Sequence, residues 1–180
     1  MRILVTGGFG YLGSYIAEHL RHSGHEVAIL SRTAHPEMAA WSRDFGIILG
    51  DITDPPSIKG CCRGREIIVH AAALNEIQCR THPREALLTN GLGTRNMLAE
   101  AVDAGVEKFI YFSTFHVYGP PASKIITEET LPRPITDYAI THLVAEAYAR
   151  AFETERRIRS FILRLSNGYG APLFKSVDRW

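Results

Sequence analysis

This 180-residue chain has few cysteines, almost no net charge and no long apolar run, and each shortage closes off a class of protein. Its three cysteines, Cys61, Cys62 and Cys79, cannot build a disulfide framework, and they show neither redox nor zinc spacing. A reducing cytoplasm is the compartment to expect. With 20 Lys and Arg against 19 Asp and Glu, the formal charge of +1 implies no basic face, so nucleic acid is not an expected partner. No stretch approaches the roughly 20 apolar residues that cross a bilayer, so no membrane partner is expected. The first residues enter a strand pattern directly, which leaves no room for a signal peptide. His19, His22 and His25 recur every three residues, but Gly24 breaks the helix before the third. No carboxylate or cysteine completes a ligand set, so no metal is expected. Internal repeats and low-complexity segments are also missing. What is present, 46% hydrophobic and 22% charged residues, suffices for one buried core.

The informative stretch is the first one, Met1 to Arg32. Arg2–Thr6 is a short run of branched residues that reads as a buried strand. Gly7, Gly10 and Gly13 follow, then an amphipathic stretch with Ile16 and Leu20 at helical spacing, then a second apolar run, Val27–Leu30. A glycine triplet that closes one strand and opens a helix before a second strand fits a βαβ unit. Such a turn suits a pyrophosphate, because glycines let the backbone approach an anion and the helix start offers the positive end of its dipole.

TGGFGYLG at this turn resembles the short-chain dehydrogenase/reductase superfamily, in its extended branch of nucleotide-sugar epimerases, dehydratases and reductases. The resemblance implies a dinucleotide held by Gly7, Phe9, Gly10, Tyr11, Leu12 and Gly13. At the end of the second strand, where an acid would grip the adenosine ribose, stand Ser31 and Arg32. A guanidinium with no carboxylate beside it suits a 2′-phosphate, which leans the cofactor toward NADP(H) over NAD(H); Arg32 as a solvated surface residue is the plain alternative. Gly50–Asp51–Ile52 resembles the family's turn at the adenine. Asp51 is either that adenine-facing acid or a helix cap, a task that Asp54 would otherwise take. HAAA, ending in Ala71, Ala72 and Ala73, resembles the loop whose small residues face the cofactor.

Strand patterns also cover Gly46–Leu49, Glu66–His70, Glu107–Ser113 and Ser160–Leu165, with helices at Pro36–Asp44, Pro83–Ala104 and Thr136–Thr154. Alternating strands and helices imply a doubly wound parallel sheet of the Rossmann type, six strands in the order 3-2-1-4-5-6. Gly91 and Gly93 inside the long helical stretch each cost about 1 kcal/mol of helix stability, so packing should demand them. Asn90 there is similar to a structural hydrogen-bonding residue of the family near its active site. The expected division is a dinucleotide-binding domain over 1–170 and, over 171–180, the start of a substrate region that is largely absent. Relatives of this branch continue well beyond Asn167-Gly-Tyr-Gly170, so the chain reads as a fragment or a natural remnant. Leu173, Phe174 and Trp180 in the tail are expected to be exposed for want of a surface to pack on.

By the same resemblance the chemistry lies at Thr114, Tyr138 and His142. Thr114 would polarise the substrate oxygen, with Ser113 an ordinary strand residue and Tyr118 a packing one. Tyr138 stands first in the pattern Tyr-x-x-x-Lys, and an i,i+4 pair shares one helix face. Its hydroxyl would be the general acid/base, and the residue one turn on would bond the nicotinamide ribose. That residue is His142, not lysine, and the nearest lysine in sequence is Lys124. Histidine is shorter and only partly charged near neutrality. Two readings of His142 stand: a working variant that bonds the ribose, or the mark of a lost active site. Phe115 and His116 occupy the place of the dehydratases' Asp-Glu pair, which points toward an epimerase or a keto-sugar reductase. His116 itself is expected to be merely hydrogen-bonded.

Pro120–Pro134 reads as a loop over the site mouth, and Arg156, Arg157 and Arg159 as a solvated helix end. Three hypotheses follow: an NAD(P)-dependent nucleotide-sugar enzyme, a dinucleotide-binding module without turnover, and a structural dimerising domain. Homodimerisation through helices 83–104 and 136–154 is compatible with all three.

Overall fold

Alternate residues of β1 (Arg2–Thr6) point into two different cores, and this divides the molecule into three layers. In the computed structural model, which describes residues 1–120, 125–155 and 157–174, Ile3 and Val5 pack to one side and Leu4 to the other. Lys124, Arg156 and Trp180 lie outside the described residues. A strand buried on both faces must be apolar along its whole length, which is why the first run carries no alternation.

Six parallel strands form one sheet in the order β3-β2-β1-β4-β5-β6. The others are β2 (Glu26–Ser31), β3 (Gly46–Leu49), β4 (Ile67–His70), β5 (Lys108–Thr114) and β6 (Arg159–Leu165). The order turns back at β1, so the crevice beyond the carboxyl ends of β1 and β4 is the natural ligand position. One face is covered by α1 (Tyr11–His22) and by a 3₁₀ turn (Pro36–Met38) that runs into α2 (Ala39–Ser42). The other face carries α3 (Pro55–Ile58), α6 (Thr94–Asp103) and α7 (Asp137–Thr154), whose Met97, Leu98, Ala145 and Ala149 pack on Leu4, Ile68 and Phe109. These boundaries agree with the sequence pattern to within a residue or two. The exceptions are the 36–44 segment, which splits in two, and α4 (Glu76–Thr81), which the pattern missed.

The long stretch from Pro83 is helical throughout but not uniform. It comprises α5 (Pro83–Ala86), a π-helical turn (Leu87–Gly93) and then α6. Packing does demand its glycines: a Cβ on Gly93 would lie 2.7 Å from Ile52 Cγ1, and one on Gly91 would lie 3.2 Å from Val144. On β6, Phe161, Leu163 and Leu165 are 42%, 41% and 37% exposed on the face opposite α7. In the tail, Leu173 is exposed, but Phe174 corrects the expectation of bare aromatics. It packs edge-on against Trp41, ring centroids 5.2 Å apart, so it already has a surface to cover.

Candidate functional site

The turn between β1 and α1 is folded so tightly that its glycines touch backbone. A Cβ on Gly13 would overlap the Gly7 carbonyl oxygen, and one on Gly7, whose φ is +70°, would lie 2.8 Å from the main chain of Ala71. The adjacent Gly8, which the every-third spacing did not single out, is equally constrained: its Cβ would lie 2.7 Å from Ile29. The helix behind this turn begins with no side-chain cap at Gly10 and no acid in its first turn, so the positive end of its dipole is uncompensated.

In front of the turn lies a cleft of about 390 Å³ lined by Thr6, Gly7, Phe9, Gly10, Ser31, Arg32, Thr33, His35, Glu37, Gly50, Ile52, Ala72 and Ala73, among others. A second cleft of about 260 Å³ shares Ala73 and Leu74 with it and is lined by Leu12, Ala71, Thr114, Phe115, His116, Tyr138 and His142. Together they make a trough along the carboxyl ends of the strands. It runs from Arg32 at one end to Tyr138 at the other.

Several expected residues line neither cleft. Gly13 is buried beneath Gly7, and the Tyr11 hydroxyl donates to the Gly170 carbonyl at 3.3 Å. Asp51 has one carboxylate oxygen occupied, accepting from the backbone N–H and the hydroxyl of Thr53 at 2.8 Å each. It is therefore neither a helix cap nor free for a ligand through that oxygen, while its neighbours Gly50 and Ile52 do reach the cleft. Asp54 holds the N-cap position of α3 without a side-chain bond.

Asn90 acts from below. It is 1% exposed, accepts from the Leu74 N–H at 2.7 Å, and donates to the Leu74 carbonyl at 3.4 Å and the Thr141 hydroxyl at 3.1 Å. The π turn places this side chain under the 71–74 loop. His70 supports the same loop. Thr94 donates to the Asn90 carbonyl at 2.6 Å, so it accepts from His70 Nε2 at 3.0 Å, and His70 Nδ1 accepts from Thr6 at 2.7 Å. Thr6 in turn accepts from the Ala72 N–H at 3.2 Å. Burial pushes the His70 pKa down to about 3, which keeps this chain of bonds intact at neutral pH.

At the far end, Thr114 ends β5 and caps the 3₁₀ turn Phe115–Tyr118, accepting from the His116 N–H at 3.2 Å. Its hydroxyl meets His116 Nδ1 at 2.8 Å. His116 is thus hydrogen-bonded, as expected. Tyr138, in the first turn of α7, has its pKa raised above the ordinary 10 by burial, partly offset by the nearby Thr114 hydroxyl. His142 is one turn on, its ring 4.5 Å from that of Tyr138. Burial drives its pKa down to about 4, so it is neutral where a lysine would be charged. Ser113 is a buried strand residue whose hydroxyl donates to Glu146 at 2.6 Å, and Tyr118 packs under the Arg164 guanidinium 4.6 Å away.

Glu146 was missed. This fully buried carboxylate accepts from Arg164 at 2.9 and 2.6 Å and from Arg150 at 3.0 Å. Elsewhere among the described residues, Cys61, Cys62 and Glu100 bring potential ligand atoms within 4.8 Å of one another, and the sequence had not grouped them. The two cysteines lie in the core beneath α6, with their sulfurs 3.7 Å apart, and the Cys61 contact together with burial raises the Cys62 pKa. No helix is long and apolar enough to cross a membrane.

Known proteins share this architecture. The UDP-glucose 4-epimerase of Rhizobium meliloti is 29% identical over 184 residues, covering 99% of this chain and 55% of that protein. The crystal structure of the Thermotoga maritima UDP-glucose 4-epimerase with UDP-glucose matches with a TM-score of 0.86 at 28% identity, over 94% of this chain and 57% of that one. A double mutant of the Streptomyces venezuelae dTDP-glucose 4,6-dehydratase, crystallised with NAD bound, matches with a TM-score of 0.87 at 31% identity and the same coverage. The chain therefore spans a little over half the length of these relatives. The sequence model of the NAD dependent epimerase/dehydratase family matches residues 3–178, and the protein belongs to that family.

Proposed function

We propose that residues 1–170 form a dinucleotide-binding domain of an NAD(P)-dependent nucleotide-sugar epimerase or keto-sugar reductase. The observation that carries this reading is the pair of adjoining clefts, one lined by Ser31, Arg32, Gly7 and Gly10 and the other by Thr114, Tyr138 and His142, which meet at Ala73 and Leu74. Residues along it fit a dinucleotide: Gly7 and Gly10 line the outer cleft in front of a helix start with no side-chain cap and no acid in its first turn, and His142 holds a buried, unpartnered Nε2 beside the inner cleft. The NAD bound in the S. venezuelae structure supports the same cofactor class. Arg32 at the outer end leans the choice to NADP(H) over NAD(H), by pairing with a 2′-phosphate.

Phe9, Gly10 and Leu12 would line the pyrophosphate path, and Ala71, Ala72 and Ala73 would let the dinucleotide lie close. A bound dinucleotide supplies the carbon that accepts and returns hydride. Thr114 would hydrogen-bond the sugar oxygen, Tyr138 would take or return its proton, and His142 would hold the nicotinamide ribose. The raised pKa of Tyr138 keeps its hydroxyl protonated at neutral pH, so proton abstraction by it should quicken as pH rises. Phe115 offers no carboxylate beside Thr114, which favours epimerisation or ketone reduction over dehydration. A nucleotide-sugar such as the UDP-glucose of the T. maritima structure is the substrate class. Exposed Leu87, Leu88, Leu92 and Ile140 on the two long helices suit a homodimer.

A second reading, a dinucleotide-binding module without turnover, is favoured by one observation: His142, in the place of the lysine, is neutral. Tyr138→Phe separates the two. Under the enzyme reading, this change lowers UDP-sugar turnover by about 10²- to 10⁴-fold and leaves NADH binding intact. Turnover that survives it overturns the acid/base role. Cofactor binding by a wild type that never turns over selects the binding module.

A further inference from the structure

The two ring nitrogens of His142 stand in different surroundings. Nδ1 lies 2.6 Å from the Tyr111 hydroxyl, whereas Nε2 is buried and has no hydrogen-bond partner among the described residues. Tyr111 on β5 is 1% exposed and His142 on α7 is 2% exposed, so neither polar group has bulk water to turn to. A buried phenol must place its proton on an acceptor, and the unprotonated imidazole nitrogen provides one. The opposite arrangement, with Nδ1–H donating to the phenol oxygen, would strand the phenolic proton. Tyr111 cannot escape by ionising, because burial and the nearby Glu146 both raise its pKa.

With Nδ1 accepting, a neutral imidazole carries its single proton on Nε2. That proton is the one left without a partner, on a residue that lines the inner cleft with Thr114 and Tyr138. The other groups around the ring are the edge of Tyr138, Glu146 one turn further along α7, and His116 across the cleft. A buried donor without a partner, on a residue that lines a cleft, calls for an acceptor, and a molecule occupying the cleft can bring one.

We propose that Tyr111 is a positioning residue that fixes His142 as its Nε2–H tautomer, so that the imidazole offers one neutral, directed donor to a ribose hydroxyl oxygen of the dinucleotide. This rests on the functional reading above and adds to it how a histidine holds the place of a lysine. A lysine needs no such help, because its ammonium carries three rotatable donors. A histidine is dependable there only if its other nitrogen is held, and the hydroxyl across the β5–α7 interface holds it.

The test is long-range ¹H–¹⁵N correlation on labelled protein at pH 7, with His142 assigned through His142→Gln, combined with NADH titration. The expected spectrum shows Nε2 protonated and Nδ1 bare, and adding NADH shifts the Nε2–H resonance. Tyr111→Phe should give mixed tautomers and weaken NADH binding by about five- to tenfold, the scale of one directed hydrogen bond. In a His142→Lys background the same Tyr111→Phe change should leave binding within about twofold. A wild-type Nδ1–H tautomer or an imidazolium overturns the inference, as does a Tyr111→Phe variant with unchanged tautomer and affinity. If Tyr111→Phe does not fold, the wild-type spectrum with and without NADH decides. Saturable NADH binding with an unresponsive Nε2 overturns this inference alone. No binding of NADH or NADPH by folded wild type overturns the functional reading, and with it the ligand assigned to the proton.

Discussion

Arg164 on β6 grips Glu146 on α7 with two bonds, Nε to Oε1 at 2.9 Å and a terminal nitrogen to Oε2 at 2.6 Å. The carboxylate is fully buried and the Arg164 side chain is 11% exposed, so water cannot replace either partner. Ser113 completes the arrangement and ties the end of β5 to the same carboxylate. Removing one partner of such a pair leaves an uncompensated buried charge. Arg164→Met should therefore destabilise the fold by about 3–5 kcal/mol. Arg150 also contacts Glu146, but its side chain is 53% exposed, and Arg150→Met should change stability by less than about 1 kcal/mol. Urea denaturation of the two variants checks the contrast; equal losses would contradict it.

The glycine turn makes a second prediction. A methyl group at position 13 would overlap the Gly7 carbonyl oxygen and push α1 away from the turn. Gly13→Ala should abolish dinucleotide binding and destabilise the fold by about 1–3 kcal/mol. Gly24→Ala is the control: nothing lies within 4 Å of its added Cβ, although its φ of +81° carries its own strain. It should lower stability with no loss of binding. Binding measured alongside thermal melts separates the two effects.

Buried histidines set a pH dependence. Burial lowers the pKa from the ordinary 6.5 to about 3 at His70 and about 4 at His142. The unfolded chain therefore takes up protons that the native state refuses. Stability is full above about pH 6.5 and is lost as pH falls toward the folded values. Between pH 7 and pH 5 the loss should be roughly 4 kcal/mol, about half from each ring. His142→Gln should halve this dependence. A denaturation midpoint that is flat over this range would contradict the burial of both rings.

Much of the fold was legible because periodicity is local. The apolar run Arg2–Thr6 and the glycines after it fix strand, turn and helix within a few residues of one another. β1 and β3 fall at the expected boundaries. The helix Glu76–Thr81 also carries a local signal in its sequence, the capping box of Asn75 and Gln78. The residues that shape the inner cleft left no such trace. Glu146 and Arg164 are 18 positions apart, Tyr111 and His142 are 31 apart, and Thr6 and His70 are 64 apart. Only the sheet order brings them together. Asp51 carries a local contact that its position did not announce: Thr53, two residues on, holds one of its carboxylate oxygens.

Arg32 makes the cofactor preference testable. It lines the outer cleft with Ser31, Thr33 and His35. Replacing the guanidinium by a carboxylate in Arg32→Glu should weaken NADPH binding by about tenfold or more, and NADH binding by much less. Equal effects on both cofactors would remove Arg32 from 2′-phosphate recognition.

The most direct test of the whole account is a fluorescence titration of this 180-residue chain with NADPH and, in parallel, with NADH. The account predicts saturable binding of both, tighter for NADPH. A folded chain that binds neither would show that the trough from Arg32 to Tyr138 is not a dinucleotide site, and would contradict the account at its centre.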